Sequence, residues 1–277
     1  GLSLGGFNYM DTPVRPDFWR VKIDNDGWFK DGKYWKNAHQ RCRLDTFTLS
    51  CERRKEGKRE MIKSVKLSFK VLVNVDPEDE TPDLSEVWFN TTYTVYPDAT
   101  VKVENEFLPV YYHAEREMSV PRIGQLFKLK GALETVDWYG RGPWENYADR
   151  KTSALVGRYR MLVKELAYAY VRPQENGYRT DVRELTLSSP EGNGMKVTGL
   201  PFFCFNAQYA PKENYEINGK PIRNTIDLKH EKDVFLNIDY GQMGVGGDNS
   251  WGNPVHVDYR VLLRNYRYGY VIQLFKE

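Results

Sequence analysis

The densest concentration of groups able to do chemistry is Asp137-Trp-Tyr-Gly-Arg-Gly-Pro-Trp-Glu-Asn-Tyr-Ala-Asp-Arg150, which puts carboxylates, arginines, aromatic rings and two glycines into fourteen residues. Gly140, Gly142 and Pro143 permit tight turns, and Arg141 and Arg150 have Asp137, Glu145 and Asp149 as possible ion-pair partners. A second cluster, Tyr170-Val-Arg-Pro-Gln-Glu-Asn-Gly-Tyr-Arg-Thr-Asp-Val-Arg183, is built alike. Each reads first as an Arg–carboxylate network pinning an irregular loop. The chemical alternative is glycoside hydrolysis, which needs an acid and a nucleophile or base held roughly 5 to 9.5 Å apart. Glu145 and Glu175 are the pair available for it. Both sit among arginines, which favour the ionised carboxylate and work against a general acid.

A third cluster is Asn237-Ile-Asp-Tyr-Gly-Gln-Met-Gly-Val-Gly-Gly-Asp-Asn-Ser-Trp-Gly252, where Gly241, Gly244, Gly246 and Gly247 precede an acid and Trp251. The spacing is not a dinucleotide fingerprint, and no βαβ pattern surrounds it. Glycines at this density let backbone pass close to another surface. Trp251 is then either a core residue after a tight turn or a platform presented outward. The four histidines, His39, His113, His230 and His256, share no metal-like spacing, and none stands in a nucleophile elbow. No metal site is expected. Cys42, Cys51 and Cys204 are too few and too scattered for a disulfide framework or a zinc site; Cys42 and Cys51 could face each other across a hairpin, but buried free thiols are the commoner case. Asn90-Thr91-Thr92 fits a glycosylation pattern but falls in an expected strand.

The elements that must position these clusters are strands. Period-two alternation rich in β-branched and aromatic residues marks 64–73, 86–96 and 100–107, with a turn at 96–99 joining the last two. Residues 76–83, with their prolines and acids, read as a loop. Further strands are expected at 124–129, 182–188, 195–199, 234–240, 255–263 and 266–275, separated by Gly, Pro and Asn clusters. Only 35–42 and 224–230 invite short helices. With neither a repeat nor a linker to divide it, the chain is expected to be all-β, one large antiparallel β-sandwich.

Composition excludes several partners. The 40 basic and 38 acidic residues nearly cancel, with no basic run, so nucleic acid is not expected. No stretch approaches the length of a membrane span, and no signal-like N-terminus is present, so a soluble protein is expected, cytoplasmic or periplasmic. The start at Gly1 without Met points to a processed product or a piece of something longer. Aromatics at 14%, with 19 Tyr and 7 Trp, suit a β core and also sugar stacking.

Four segments together resemble the C-terminal domain, the small-chain region, of glycoside hydrolase family 2 β-galactosidases. They are Phe18-Trp-Arg with Asp24-Asn-Asp-Gly27, then Trp138 to Arg150, then Val171-Arg-Pro-Gln-Glu-Asn-Gly177, and finally Leu236-Asn-Ile-Asp239 with Gln242-Met-Gly-Val-Gly-Gly-Asp-Asn-Ser-Trp251. Order and spacing agree from about residue 16 onward, so 16–277 is expected as a single domain after a poorly matched segment, 1–15. The resemblance implies a galactose-mutarotase-like supersandwich without catalytic residues, the two catalytic glutamates lying in a barrel region of the same or a companion chain. It implies that Trp251 reaches the galactoside pocket and that a loop containing Gly27, Trp28 and Asp31 moves over it. Arg141, Glu145, Asn146, Arg150, Glu175 and Asn176 are then structural. No cofactor is expected in this chain, the family's Mg and Na being bound elsewhere, and the complete enzyme is expected to be a homo-oligomer. Asn249 stands where better-known members carry Asp, and Trp144 where Gln or His is common. The competing readings are a stand-alone carbohydrate-binding module, and a self-sufficient glycosidase using Glu145 or Glu175.

Overall fold

Alternating apolar and polar side chains let a strand bury one face and solvate the other, and most of this chain is spent that way. The computed structural model describes residues 2–28, 32–75, 86–110, 118–249 and 253–276. Its strands, in chain order, are β1 (Leu2–Leu4), β2 (Phe7–Met10), β3 (Arg15–Asp17), β4 (Cys42–Glu56), β5 (Arg59–Asn74), β6 (Glu86–Val95), β7 (Val101–Pro109) and β8 (Arg122–Leu129). They continue with β9 (Thr135–Gly142), β10 (Leu155–Leu162), β11 (Arg179–Ser188), β12 (Asn193–Gln208), β13 (Glu216–Ile217), β14 (Lys220–Pro221), β15 (Val234–Gln242) and β16 (Tyr266–Lys276). Helix is confined to single turns, among them α1 (Gly32–Trp35) and α2 (Val163–Leu166).

Twelve of these strands form one antiparallel sheet that forks. One path runs β10-β9-β11-β12-β16-β7-β6-β5-β4, and from β12 a branch leads through β15 and β8 to β3. The fork lies within β12: residues 193–200 pair with β16, whereas 204–208 pair with β15. The sheet therefore curls over itself, and its two limbs enclose a core. Val73, Phe89, Val103, Phe107 and Tyr270 from one limb meet Ile123, Phe127, Leu236 and Ile238 from the other. Tyr9 is fully buried in the same core, its hydroxyl donating to the Phe275 carbonyl at 2.7 Å.

The all-β antiparallel sandwich expected from alternation is present, and the turn expected at 96–99 is closed by Ala99 N donating to Tyr96 O at 3.0 Å. Several local expectations fail. Residues 255–263 are no strand: they make a single isolated bridge, Ser119 to Leu262, beside a 3₁₀ turn at Val257–Tyr259. The helix expected over 35–42 is split by Asn37, in the left-handed region at φ 63°, into α1 and a 3₁₀ turn at Ala38–Arg41. The other, at 224–230, is a 3₁₀ turn of three residues, Thr225–Asp227. Cys42 and Cys51 share β4, opposite Val73 and Val65, so no hairpin brings them face to face, and all three thiols are free. The loop expected at 76–83 lies outside the described residues. Among the described residues no helix is long and apolar enough to cross a membrane.

Candidate functional site

The first two polar clusters fold onto each other. Asn146, fully buried, donates its backbone N–H to Tyr178 O at 2.8 Å, and its Oδ1 accepts from Thr180 N at 2.9 Å and Thr180 Oγ1 at 2.7 Å. Glu145 accepts from Gly177 N at 2.8 Å, Arg150 at 3.2 Å, Tyr147 Oη at 3.4 Å and Tyr170 Oη. Gly177, at φ 75°, supplies the left-handed turn that aims this N–H at the carboxylate. Arg141 pairs with Asp181 at 2.6 Å and also donates to the carbonyls of Lys151 and Ala154. Of the pairings considered for the arginines, Arg150 with Glu145 forms. Arg141 does not take Asp137, which instead holds Arg160 at 2.6 Å. Asn176 accepts from Tyr168 N and donates to Gln174 O. Every hydrogen-bonding oxygen of Glu145 is thus committed to the scaffold.

Glu175 belongs to a buried charge cluster that local sequence patterns do not reveal. At its centre Arg122, on β8 and 1% exposed, lies 3.1 Å from Asp239 on β15, 3.3 Å from Glu175 and 3.7 Å from Asp17 on β3. It also donates to Gln242 Oε1 at 2.6 Å and Asn237 Oδ1 at 3.2 Å. Lys212 closes the far side, donating to the Asp17 carboxylate and to Trp19 O at 2.7 Å. Three carboxylates therefore face two cations, all out of water. Burial works against the charge of Asp17, but Lys212 and Arg122 outweigh it and draw its carboxyl down to about 2. At Asp239 burial wins over Arg122 and pushes the carboxyl up to about 7. Glu175 uses its second oxygen to accept Val21 N at 3.0 Å, fixing the chain that enters the 3₁₀ turn Asp24–Trp28. Glu175 and Asp239 are buried, while Asp17 and Lys212 border a cleft of about 350 Å³ beside Trp19 and Val21.

That 3₁₀ turn and the glycine-rich segment after β15 are set side by side. Arg20, 1% exposed, donates to Asp26 at 2.9 Å and reaches the Gly244 carbonyl at 3.5 Å. Asp149, from the end of the first cluster, accepts from Val245 N at 3.1 Å and Gly246 N at 2.6 Å. A Cβ on Gly244 would stand 2.5 Å from the Asp149 carboxyl carbon, so glycine is what lets the carboxylate in. A Cβ on Gly247 would meet Asn253 O at 2.7 Å and lie 3.5 Å from the Asn25 amide nitrogen. His256 and Asp248 join at 2.7 Å across the base of the same loop. Gly27 and Trp28 have their backbone in the 3₁₀ turn; Asp31 and Trp251 lie outside the described residues.

Sequence reasoning missed Asp17, Arg20, Arg122, Asp149, Lys212 and Asp239 as organising residues. A faint signal existed for Asp239, which interrupts an apolar strand, since a charge inside such a strand demands a buried partner; Arg122, at the first position of β8, gave none. Nothing local marks Asp149 as the acceptor for a loop about a hundred residues away. Among the described residues no group of three or more His, Cys, Asp or Glu side chains is placed to hold a metal ion.

Comparison with known proteins gives this geometry its family. Residues 2–272 match the family model described as the β-galactosidase small chain. A β-galactosidase of Priestia megaterium is 33% identical over 258 residues, covering 91% of this chain and 23% of that protein. One from Halalkalibacterium halodurans is 29% identical and covers 93% and 24%. The chain thus spans about a quarter of the length of the relatives it matches. Among solved structures, a galactose mutarotase-like protein from Clostridium acetobutylicum covers 96% of this chain and 79% of its own, with TM-score 0.39 and 9% identity. A GalM/aldose epimerase homologue from C. elegans covers 82% and 68%, with TM-score 0.39 and 14% identity. On the family match and the Priestia relative, the chain belongs to the β-galactosidase small-chain family.

Proposed function

We propose that this chain is the pocket-completing domain of a β-galactosidase, an enzyme that hydrolyses terminal non-reducing β-D-galactose residues, and that residues 16–277 act in it as one unit. The catalytic glutamates lie in a companion region, and the complete enzyme is a homo-oligomer. The observation that carries this reading is the double anchorage of the glycine-rich loop: Asp149 holds its backbone from one side and Arg20 ties it to the Asp24–Trp28 turn from the other. The base of the loop is thereby fixed, and Trp251, the large apolar residue that follows it in sequence, is the residue we assign to the pocket. The commitment of Glu145 and Glu175 to internal hydrogen bonds supports the same conclusion from the other direction, since neither is available for proton transfer.

Trp251 acts by packing against a sugar face, worth about 1 to 3 kcal/mol in substrate or transition state. Gly27, Trp28 and Asp31 line the neighbouring edge of the galactoside pocket. Trp251→Ala in the complete enzyme is expected to raise KM for nitrophenyl-galactoside roughly 5- to 150-fold, the equivalent of that packing energy. Unchanged KM and kcat would remove Trp251 from the pocket.

A further inference from the structure

The hairpin of β4 and β5 has two unlike faces. Phe47, Leu49 and Cys51 of β4 stand opposite Phe69, Leu67 and Val65 of β5, so all six share one face. The face continues onto β6, where Thr91 and Tyr93 pair with Phe69 and Leu67. The other face carries Thr46, Thr48 and Ser50 opposite Lys70, Ser68 and Lys66. Polar residues are where water would be expected, but the apolar side is open as well: Leu44 is 55%, Phe47 48% and Leu49 63% exposed. This face runs without interruption into a cleft of about 360 Å³ lined by Leu2, Met10, Val14, Phe69, Phe89 and Phe127. The Phe47 and Phe69 rings, 5.1 Å apart, and the Phe69 and Tyr93 rings, 6.0 Å apart, join the two. β4 is also the last strand of its path, with one edge unpaired.

We propose that the β4–β5 face and its cleft are the surface on which the companion region of the β-galactosidase docks, through an extended apolar segment laid along Phe47, Leu49 and the cleft mouth. The proposal rests on the function proposed above and names the surface through which that function is assembled. Two observations select this occupant. The curated relatives are about four times as long as the part this chain matches, so in them a large body of protein accompanies these strands. The hairpin's far end is densely charged, with Arg53, Arg54, Lys55, Lys58, Arg59 and Lys63 beside Glu52, Glu56 and Glu60, so the tip is built for water while the apolar base is not. An exposed apolar face of this size, rimmed by charge, marks a protein contact.

The test uses the complete enzyme assembled from this chain and the remainder of the β-galactosidase encoded in the same genome, produced as separate polypeptides. Binding is followed by calorimetry and assembly by nitrophenyl-galactoside turnover. If the wild-type chain neither binds the remainder nor restores turnover, the proposed function itself fails, whatever the hairpin does. With wild-type assembly established, the Phe47→Ser/Leu49→Ser double variant is expected to bind at least tenfold more weakly. Thr48→Lys/Ser50→Lys, on the opposite face, is expected to bind as wild type. Melting curves of the isolated variants verify that each is folded, as solvent-exposed positions allow. Wild-type affinity in Phe47→Ser/Leu49→Ser, or an equal loss in Thr48→Lys/Ser50→Lys, overturns the docking surface. So does a concentration-dependent dimer of the isolated chain that Phe47→Ser/Leu49→Ser abolishes and the remainder does not displace, since the occupant is then a second copy.

Discussion

Removing the Arg122 guanidinium should be the most damaging single change in the chain. In Arg122→Met the buried carboxylates of Asp17, Glu175 and Asp239 keep only Lys212 as a cation, and Gln242 Oε1 and Asn237 Oδ1 each lose a donor. Breaking a buried ion pair by deleting one partner costs about 3 to 5 kcal/mol, because a charge is left without compensation. Asp239 offers a partial escape, since its carboxyl already sits up at about 7 and can take a proton. The loss is therefore expected to be largest near pH 8, where Asp239 must ionise, and smaller near pH 5, where it can stay protonated. Urea unfolding of the isolated chain at the two pH values measures this, with an unchanged m-value certifying that the midpoint shift is a stability change. Adding Asp239→Asn to Arg122→Met should recover part of the loss at pH 8. A cost below about 1 kcal/mol at both pH values would refute the reasoning, because so small a cost is that of a water-exposed pair.

Asp239→Asn alone tests the sign of the linkage. A carboxyl whose pKa is raised on folding contributes stability below its unfolded value near 4 and loses that contribution as pH rises through about 7. Asp17, drawn down to about 2, runs in the opposite sense: its contribution is fully present above about pH 4 and is lost only as pH falls towards 2. Between pH 4.5 and 7.5 the Asn variant should therefore lose less stability than wild type, as read from urea midpoints; parallel curves would exclude Asp239 as the titrating group. Asp149→Ala frees two loop N–H groups whose bonds to a charged acceptor contribute about 1.5 to 3 kcal/mol each. Because both N–H groups are only part-buried and water can replace the lost acceptor, the net cost is expected to be well below that sum: KM of the complete enzyme should rise tenfold or more while the melting temperature moves by only a few degrees. Asn146→Ala, which empties a buried acceptor shared by two Thr180 donors, should do the reverse: lower the melting temperature of the chain and leave KM of the folded enzyme unchanged.

What could be read from the sequence was what is local. β5, β6, β7 and β16 announce themselves because apolar and polar residues alternate along each, and in β6, β7 and β16 that alternation records a face turned to the core. β4 alternates only briefly, from Thr46 to Cys51; almost all of it is exposed, and charged residues fill its far half. β9 hides behind Gly140 and Gly142, which read as turn residues. In the structure they are strand residues without side chains because Val182 and the rings of Tyr159 and Trp138 occupy the space a Cβ would need. The ion pair of Glu145 with Arg150 followed from the arginine-rich surroundings. The cluster around Arg122 did not, since Asp17, Arg122, Lys212 and Asp239 come from four separated stretches of chain and only the fork at β12 and its neighbours brings them together. Their dependence on one another is a property of the fold.

The most direct test of the central claim, that this chain shapes a galactoside pocket whose chemistry is supplied elsewhere, is nitrophenyl-galactoside turnover by the purified chain alone, with and without the remainder of the enzyme. No turnover by the isolated chain and full turnover on addition of the remainder is the predicted result. Turnover by the chain alone that is abolished by Glu145→Gln or Glu175→Gln would contradict it, and would return those two carboxylates from scaffold to active site.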